Sequence, residues 1–348
     1  MFVIICWKGG RLSLLDVAKG LGTTLKEAVS MFKSKPSLLS LSILLISICS
    51  GIFLFTTKSV QAADTYDGKD FLDYQYQNSN QVVTSNNPSL TVGTYNIASG
   101  LHDHQIKPKL VGKGIKTLNA DFIGLQEVDK GTKRNHKYNV AKMISKYSGM
   151  KYYYYHPTIK VPGGSYGTAV LSKYPIQKVG AYKLYSGKEE QRQMIIAKVK
   201  IPNFKRPVYF VNIHTAYQVD GKIRSKQMDQ LNELLNDDLT AQVQAKFPNI
   251  IGATIIAMGD FNASSKDPTM QKLTNMWTEQ RDPKRSDYRS WPAMNPTVDY
   301  DHILTSSSQK WRVDSSYLPS AEKDQQKINW PKLSDHLPFV EKMTLTEY

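Results

Sequence analysis

A group of Asn, Asp, Glu and His residues stands at the ends of apolar runs, where side chains could bind a cation or move a proton. The group comprises Asn96, Glu127, His214, Asp260, Asn262, Asp301, Asp335 and His336. A single residue of this kind next to a strand is most often a turn former. Repeated at the end of one apolar run after another, with no Ser or Cys nucleophile motif in the chain, such residues indicate a functional site.

The residue types in this group favour phosphoryl chemistry. Carboxylates and amides without thiols are the donor set of a hard cation, Mg²⁺ or alternatively Mn²⁺ or Ca²⁺. Of two histidines beside such a cation, one can hold a phosphate oxygen while the other protonates or stabilises the leaving group. We therefore expect a hard-cation site that is suited to phosphoryl chemistry.

The elements that must position these residues alternate between strands and helices. Short runs rich in β-branched and aromatic residues predict strands at 89–97, 120–128, 167–176, 194–201, 207–214, 254–261, 301–306 and 338–345. Apolar residues at helical spacing predict helices at 105–118, 138–147, 222–245 and 268–277. Interleaved strands and helices predict an α/β protein with covered sheets, in a single domain over residues 89–348.

The N-terminal region has the order of an export signal. Lys33 and Lys35 precede an almost wholly apolar stretch over 38–55, and Val60-Gln61-Ala62 follows with small residues where a signal peptidase cuts. We expect residues 1–62 to be an N-terminal extension with a signal peptide starting at Met31. An uncleaved membrane anchor through residues 36–57 is the alternative. The composition of residues 63–88, rich in Asn, Gln, Ser and Asp, predicts a linker. From the signal or anchor we expect the protein to be secreted or anchored at the outer face of the cell membrane.

Composition excludes several classes of protein. The 348 residues are 41% hydrophobic and 22% charged, which excludes a disordered protein, a collagen-like fibre and a multi-span membrane protein. The formal charge is +15, and 38 basic against 28 acidic residues still stand after residue 62. Both cysteines, Cys6 and Cys49, precede residue 63, so a disulfide framework is not expected in the domain. We expect a basic monomer that binds polyanions.

Seven short blocks in order resemble the endonuclease/exonuclease/phosphatase superfamily, the deoxyribonuclease I-like metal-dependent hydrolases. The blocks are TYNI (94–97), LQEVD (125–129), YGTAVLSKYPI (166–176), VNIHT (211–215), GDFNA (259–263), DHIL (301–304) and SDHLP (334–338). Each block alone is weak, but all seven in order are specific. The resemblance implies a four-layer α/β sandwich, with two mixed sheets face to face and helices outside.

The resemblance also implies a role for each polar residue of the metal and water site. Glu127 is similar to the principal Mg²⁺ ligand, and Asp335 resembles an additional carboxylate of the metal site. Asn96 resembles the amide that orients the phosphate or a water on the metal. Asp260 resembles the carboxylate that activates the attacking water, and Asn262 resembles its phosphate-binding neighbour.

The remaining roles implied by the resemblance belong to histidines and their neighbours. His214 resembles the donor to the scissile phosphate, and His336 resembles the second catalytic histidine, with Asp301 orienting its ring. Arg192 resembles a basic residue near the phosphate. Tyr166, in the YG block, has a phosphate contact and a packing role as equal alternatives.

One block departs from the pattern of the superfamily, which has a hydrophobic residue, Asp and then an aromatic residue. Asp299-Tyr300 fits that order as well as Asp301-His302 does. We favour Asp301 because residues 303–306 then form the usual strand. His302 would in that case be a bystander.

The shared motifs leave the substrate open, because superfamily members cut nucleic acids, sphingomyelin and other phospholipids, or inositol phosphates. The net charge favours nucleic acid, and so does the run of Lys130, Lys133, Arg134 and Lys137 just after Glu127. A phospholipid or phosphoinositide phosphodiesterase or phosphatase is the alternative. A catalytically dead binding module is disfavoured, because Glu127, Asp260 and His336 are all present.

Overall fold

The computed structural model describes residues 87–99, 106–319 and 328–347. The signal or anchor expected in residues 1–62, and most of the linker expected at 63–88, lie outside the described residues. No helix in the described part of the chain is long and apolar enough to cross a membrane.

Twelve strands form two six-stranded mixed sheets. The first sheet has the order β11–β12–β1–β2–β4–β3 and the second the order β5–β6–β7–β8–β10–β9. The strands are β1 (Ser89–Asn96), β2 (Phe122–Lys130), β3 (Tyr152–Val161), β4 (Gly164–Ser172), β5 (Ile176–Lys183), β6 (Gln193–Val199), β7 (Val208–His214), β8 (Ile255–Asp260), β9 (Trp277–Glu279), β10 (Asp301–Ser306), β11 (Lys310–Tyr317) and β12 (Phe339–Glu347).

Helices cover the outer faces of the sheets. They are α1 (Pro108–Leu118), α2 (Val140–Ser148), α3 (Lys222–Asn232), α4 (Ala241–Lys246) and α5 (Pro268–Gln271), with two 3₁₀ turns at Lys133–Asn135 and Trp330–Lys332. Val111, Ile115 and Ile144 belong to the core of the first sheet, and Met228 and Val243 pack in the separate cluster of the second. The expected α/β sandwich, with two mixed sheets and helices outside, is confirmed.

The inner faces of the two sheets form the main core. The rings of Phe122 on β2 and Phe210 on β7 stack at 4.0 Å between centroids. Strands β7 and β8 are buried along their whole length, as expected for strands covered on both faces.

One polar side chain crosses between the sheets. The amide of Asn212 on β7 donates to the carbonyls of Leu125 and Ala169 and accepts from Gln126 Nε2 at 2.6 Å. Residue 124 is glycine because a Cβ there would lie 2.6 Å from Asn212 Oδ1. Buried amides need such partners, so Asn212 fixes the register of one sheet against the other.

Two parallel pairs bring strand ends together. β1 pairs with β2 in parallel, Asn96 standing beside Gln126, and β7 pairs with β8 in parallel, His214 standing beside Asp260. β10 runs antiparallel to β8 and begins with Asp301 beside Asp260. The polar ends of both sheets therefore lie at one edge of the sandwich.

Strands β3, β5, β9 and β11 are not among the strands predicted from the sequence. Three predicted elements also have markedly different bounds in the structure. The helix predicted over 222–245 is two helices, α3 and α4, separated by a turn in which Asp237 has φ of 67°. Thr240 caps α4 by accepting from the Val243 amide. The helix predicted over 268–277 is the single turn α5, and the strand predicted over 167–176 ends at Ser172, before Pro175.

Candidate active site

The two sheets meet at a cluster of carboxylates, amides and histidines. Side chains alternate along a strand, and the core contacts place Ile256, Met258 and Ile303 on the inner faces of β8 and β10. Asp260 lies two residues after Met258, and Asp301 two residues before Ile303, so both side chains point toward the first sheet.

A β-bulge brings Glu127 into the same cluster. The pairing of β2 with β4 shifts register between Leu125 and Val128, and Glu127 has φ of 57°, in the left-handed region that non-glycine residues rarely adopt. The Ser99 hydroxyl donates to the Glu127 carbonyl. Bulges of this kind often re-aim a side chain beside an active site.

Asn96 joins the two sheets at this point. Its Nδ2 donates to Glu127 Oε1 at 3.1 Å and to Asp260 Oδ2 at 2.9 Å, and its Oδ1 accepts from the Ala98 amide. Both amide protons are thus used by carboxylates. Asn96 therefore fixes the distance between Glu127, the expected metal ligand, and Asp260, the carboxylate expected to activate the attacking water.

Asp260 Oδ2 is the centre of the cluster. His214 Nε2 and His336 Nε2 each lie 3.6 Å from it. The other oxygen, Oδ1, accepts from the Asn262 amide at 2.8 Å, while the side chain of Asn262 donates to the Thr215 carbonyl. His214, His336 and the side-chain amide of Asn96 therefore surround Oδ2 of the buried Asp260.

His336 is held by Asp301, as the resemblance implies. His336 Nδ1 lies 2.8 Å from Asp301 Oδ2, and the Ser290 hydroxyl donates to the same oxygen at 2.6 Å. Burial acts to lower the pKa of His336, but Asp301 and Asp260 raise it to about 10. The ring is therefore an imidazolium at neutral pH.

His214 has the opposite protonation state. Burial, Arg192 and His336 hold its pKa well below the usual value, so the ring is neutral. Arg192 Nη1 lies 3.0 Å from His214 Nδ1 and 3.3 Å from Nε2. Because arginine can only donate, the nearer Nδ1 accepts, and the ring proton stands on Nε2 facing Asp260. Arg192 also opposes the rise that burial causes in the pKa of the neighbouring Tyr166 hydroxyl.

Negative charge is in excess at the partly exposed end of the cluster. Burial raises the pKa of Glu127, and the charges of Asp335 and Asp260 add to that effect. Burial likewise raises the pKa of Asp260. Ionisation of either carboxylate therefore carries a cost that a nearby cation would relieve.

The donor set fits a hard divalent cation. Glu127 and Asp335 are both partly exposed, and Glu127 is influenced by the charge of Asp335. Within the described part of the chain, no three His, Cys, Asp or Glu side chains are arranged around one metal position. Carboxylate oxygens such as those of Glu127 and Asp335 are ligands that a hard divalent cation accepts in proteins.

Asp301, rather than Asp299, lies in the cluster. Asp301 contacts His336, whereas Asp299 accepts from Arg281 at 3.1 Å. His302 faces away from the cluster and contacts Glu279 and the Ala263 carbonyl.

Three supporting residues were not found from the sequence. Ser290 donates to Asp301, the Trp291 indole donates to Asp335 Oδ2 at 3.2 Å, and Ser334 donates to the Asn96 carbonyl at 2.7 Å. Ser290 and Trp291 lie in a segment without periodicity, where no local signal marks them. Ser334 stands in the SDHLP block and was within reach of motif analysis.

Comparison with known proteins agrees with this fold. Solved structures of the same fold include an endonuclease/exonuclease/phosphatase family protein from Leptotrichia buccalis, with TM-score 0.54 and 16% identity over 72% of this chain and 98% of that one. The human Nocturnin catalytic domain with a bound sulfate anion has TM-score 0.54 and 17% identity, over 74% and 94%. Truncated Caenorhabditis elegans TDP2 has TM-score 0.51 and 18% identity, over 74% and 97%. These identities show the fold alone.

The family follows from the sequence match. A search of curated proteins finds no significant match. The Endonuclease/Exonuclease/phosphatase family profile matches residues 93–336, a range that spans every block from TYNI to SDH. The chain therefore belongs to the endonuclease/exonuclease/phosphatase family, whose members are phosphoester hydrolases.

Proposed function

We propose that this protein is a divalent-metal-dependent phosphodiesterase that cleaves nucleic acid by in-line attack of water. The observation that carries the proposal is the convergence of Asn96, His214 and His336 on one oxygen of Asp260, next to Glu127. This arrangement supports the proposal because a proton acceptor, a neutral donor and a cationic donor, the groups that hydrolysis of a phosphate diester uses, lie within a few ångströms of one another.

Each residue then has a distinct task. Glu127 and Asp335 would hold a divalent cation, which when bound would neutralise the charge of the phosphate. Asp260 accepts the proton of the attacking water as the new P–O bond forms. His214 and Arg192 donate to the non-bridging oxygens. As the bond to the leaving oxygen breaks, that oxygen takes the proton of the His336 imidazolium, and the proton on Asp260 then passes to His336.

The basic balance of the chain, 45 Lys and Arg against 30 Asp and Glu, supports nucleic acid as the substrate. We also infer that the protein acts outside the cell, because the 33–62 region has the order of an export signal. Detection of the chain in medium or on intact cells would support that location. Its retention inside the cell would contradict it.

Plasmid cleavage tests the proposed activity. The full-length chain, purified in mild detergent, is assayed on supercoiled plasmid with Mg²⁺ and with EDTA. We expect nicking that requires Mg²⁺ and is lost in Glu127→Gln. The matched control is Glu279→Gln, a glutamate that contacts His302 and Arg281, and it retains nicking. Cleavage that persists in EDTA, or in Glu127→Gln, would contradict the proposal.

A second candidate, a phospholipid phosphodiesterase, is favoured by one observation. The loop after β7 exposes 62% of Tyr217 and 99% of Val219, and the Tyr217 ring centroid lies 6.0 Å from Arg192 Cζ. An exposed apolar loop beside an active site suits a membrane surface. Hydrolysis of phosphatidylcholine or sphingomyelin vesicles that persists at salt concentrations abolishing DNA cleavage would support this candidate.

A further inference from the structure

The 290–300 loop precedes β10 and packs against the SDHLP block, which follows it in the chain. The Leu337 amide donates to the Ser290 carbonyl at 2.9 Å, and the Ala293 amide donates to the Asp335 carbonyl at 2.6 Å. These two backbone hydrogen bonds fasten the loop to the block on both sides of the tryptophan that the loop carries.

The 290–300 loop is also closed on itself, which fixes the ring of Trp291. The Trp291 amide donates to the Val298 carbonyl at 3.1 Å, and the Val298 amide donates to the Trp291 carbonyl at 2.9 Å. The indole stacks on the ring of Tyr300, with 5.5 Å between centroids and 30° between planes. Because Tyr300 directly precedes Asp301, the first residue of β10, the stack ties the indole to the frame of the second sheet.

The indole N–H of Trp291 distinguishes the two oxygens of Asp335. It donates to Oδ2 at 3.2 Å. The other oxygen, Oδ1, lies 3.5 Å from the Ser334 hydroxyl, but that hydroxyl donates to the Asn96 carbonyl at 2.7 Å. An indole and a hydroxyl each have one proton to donate. Within the part of the chain that the structure describes, Oδ2 is thus the oxygen that is held, and Oδ1 is the oxygen left for a ligand.

The donor to Asp335 is neutral, which suits a carboxylate that binds a cation. A Lys or Arg paired with this carboxylate would cancel its charge and compete with a divalent cation. The indole orients the carboxylate and leaves its negative charge in place. Burial raises the pKa of Glu127, and the charge of Asp335 adds to that effect, so the two carboxylates belong to one site.

We propose that Trp291 is a positioning residue of the metal site: its indole N–H holds Oδ2 of Asp335, so that Oδ1 is presented to the divalent cation. The inference rests on the proposed function, because it takes Glu127 and Asp335 as the residues that would hold that cation. Hydrogen bonds that orient a metal-binding side chain contribute to the metal affinity of a site. The alternative role of Trp291 is packing alone, in which the ring supports the loop and the N–H contributes nothing.

Trp291→Phe separates the two roles, because it keeps an aromatic ring and removes the N–H. The matched control is Trp311→Phe. The Trp311 ring stacks on Phe204 with 27° between planes, and its Nε1 is buried without a hydrogen-bond partner among the described residues. Trp311 pairs with Leu345 on β12, at the end of that strand far from His336. Both substitutions reduce a stacked ring, and Trp291→Phe alone removes a donor to the site.

Metal binding without substrate tests the role of the N–H. The full-length chain, purified in mild detergent, is titrated with Mn²⁺ by isothermal calorimetry. We expect Trp291→Phe to weaken Mn²⁺ binding about tenfold, a loss typical of removing the partner of a metal-binding side chain. Trp311→Phe binds Mn²⁺ like the wild type. Glu127→Gln, which loses a ligand, weakens binding more than Trp291→Phe does.

The Mg²⁺ dependence of turnover provides a second readout. For hydrolysis of bis(p-nitrophenyl) phosphate we expect Trp291→Phe to need about tenfold more Mg²⁺ for the half-maximal rate. Its kcat at saturating Mg²⁺ is expected to stay within about twofold of the wild type. A packing role would instead lower kcat at every Mg²⁺ concentration and leave the half-maximal concentration unchanged.

Several results would overturn the proposal. They are equal Mn²⁺ affinity in Trp291→Phe and the wild type, an equal loss in Trp311→Phe, a loss of kcat that saturating Mg²⁺ does not restore, and an absence of Mn²⁺ binding by the wild type. If Glu127→Gln binds Mn²⁺ like the wild type, the proposed metal site fails, and the proposed function fails with it. If Glu127→Gln loses Mn²⁺ binding and Trp291→Phe does not, only the role of Trp291 fails.

Discussion

Asp301 and His302 are neighbours on β10, yet they belong to two different clusters of buried charge. Asp301 faces the first sheet and bonds His336. His302 faces the other side of the strand, where its ring lies edge-on to Phe261 and its two nitrogens contact Glu279 and the Ala263 carbonyl. Both clusters contain a histidine and carboxylates, so residue content alone does not distinguish a site from a structural element.

The balance of charge does distinguish them. Around His302, Arg281 pairs with Glu279 and with Asp299. Burial opposes both charges, but the pKa of His302 is raised by Glu279, and the pKa of Glu279 is lowered by His302 and Arg281. In the active site the pKa of Glu127 and of Asp260 is raised instead. The charges of the cluster at His302 are paired with one another, whereas the cluster at Asp260 has an excess of negative charge that a cation would balance.

The largest difference between the clusters is expected from removing one carboxylate in each. Asp260→Asn removes the proton acceptor and is expected to lower kcat on bis(p-nitrophenyl) phosphate by about 10³-fold or more. Asp299→Asn, the same change in the cluster at His302, keeps kcat within about threefold. Steady-state kinetics with Mg²⁺ measure both. Similar kcat values for the two variants would contradict the distinction between the catalytic cluster at Asp260 and the structural cluster at His302.

A pH-dependent stability difference is expected at Glu341, which lies fully buried on β12. Its Oε1 accepts from Ser316 at 2.9 Å, and burial raises its pKa to about 8. Because the folded-state pKa exceeds the unfolded value, the wild type loses stability as pH rises from about 4.5 through 8. Glu341→Gln is neutral throughout and is expected to be more stable than the wild type at pH 9, by about 2 kcal/mol or more.

Thermal unfolding at two pH values checks the effect at Glu341. At about pH 5 the two proteins have similar Tm, and at about pH 9 the variant unfolds roughly 4–8 °C higher. Parallel Tm curves across this range would show that Glu341 is not held neutral in the fold.

The smallest expected effect compares two serines that each donate to a buried carboxylate. Ser290→Ala removes the hydrogen bond to Asp301 and is expected to lower kcat about tenfold, with KM unchanged. A less well-held Asp301 charge also lowers the pKa of His336, so the alkaline limb of the pH–rate profile moves to lower pH. Ser316→Ala, which removes the bond to Glu341, leaves kcat and the profile unchanged. An unshifted profile in Ser290→Ala would deny Ser290 a positioning role.

The ordered motifs predicted the family, and the resemblance to that family implied the sandwich. Strand alternation, which is a local signal, predicted the polar strand ends. The sequence favoured Asp301 over Asp299 only because residues 303–306 then form the usual strand, whereas the structure separates the two residues by the contact of Asp301 with His336. Ser290 and Trp291 were missed because a segment without periodicity brings them to the site. The single helix predicted over 222–245 was too long, because the helical spacing of apolar residues continues through the turn at Asp237.

The most direct test of the account is the metal-dependent hydrolysis of bis(p-nitrophenyl) phosphate by His336→Asn and His302→Asn, each normalised to its folded fraction. We predict that His336→Asn loses about 10³-fold in kcat. His302→Asn is expected to unfold at a lower temperature, because Glu279 loses its buried partner, and to keep kcat within about threefold. Equal losses of kcat in the two variants, or turnover that persists in EDTA, would contradict the assignment of catalysis to the Asp260 cluster.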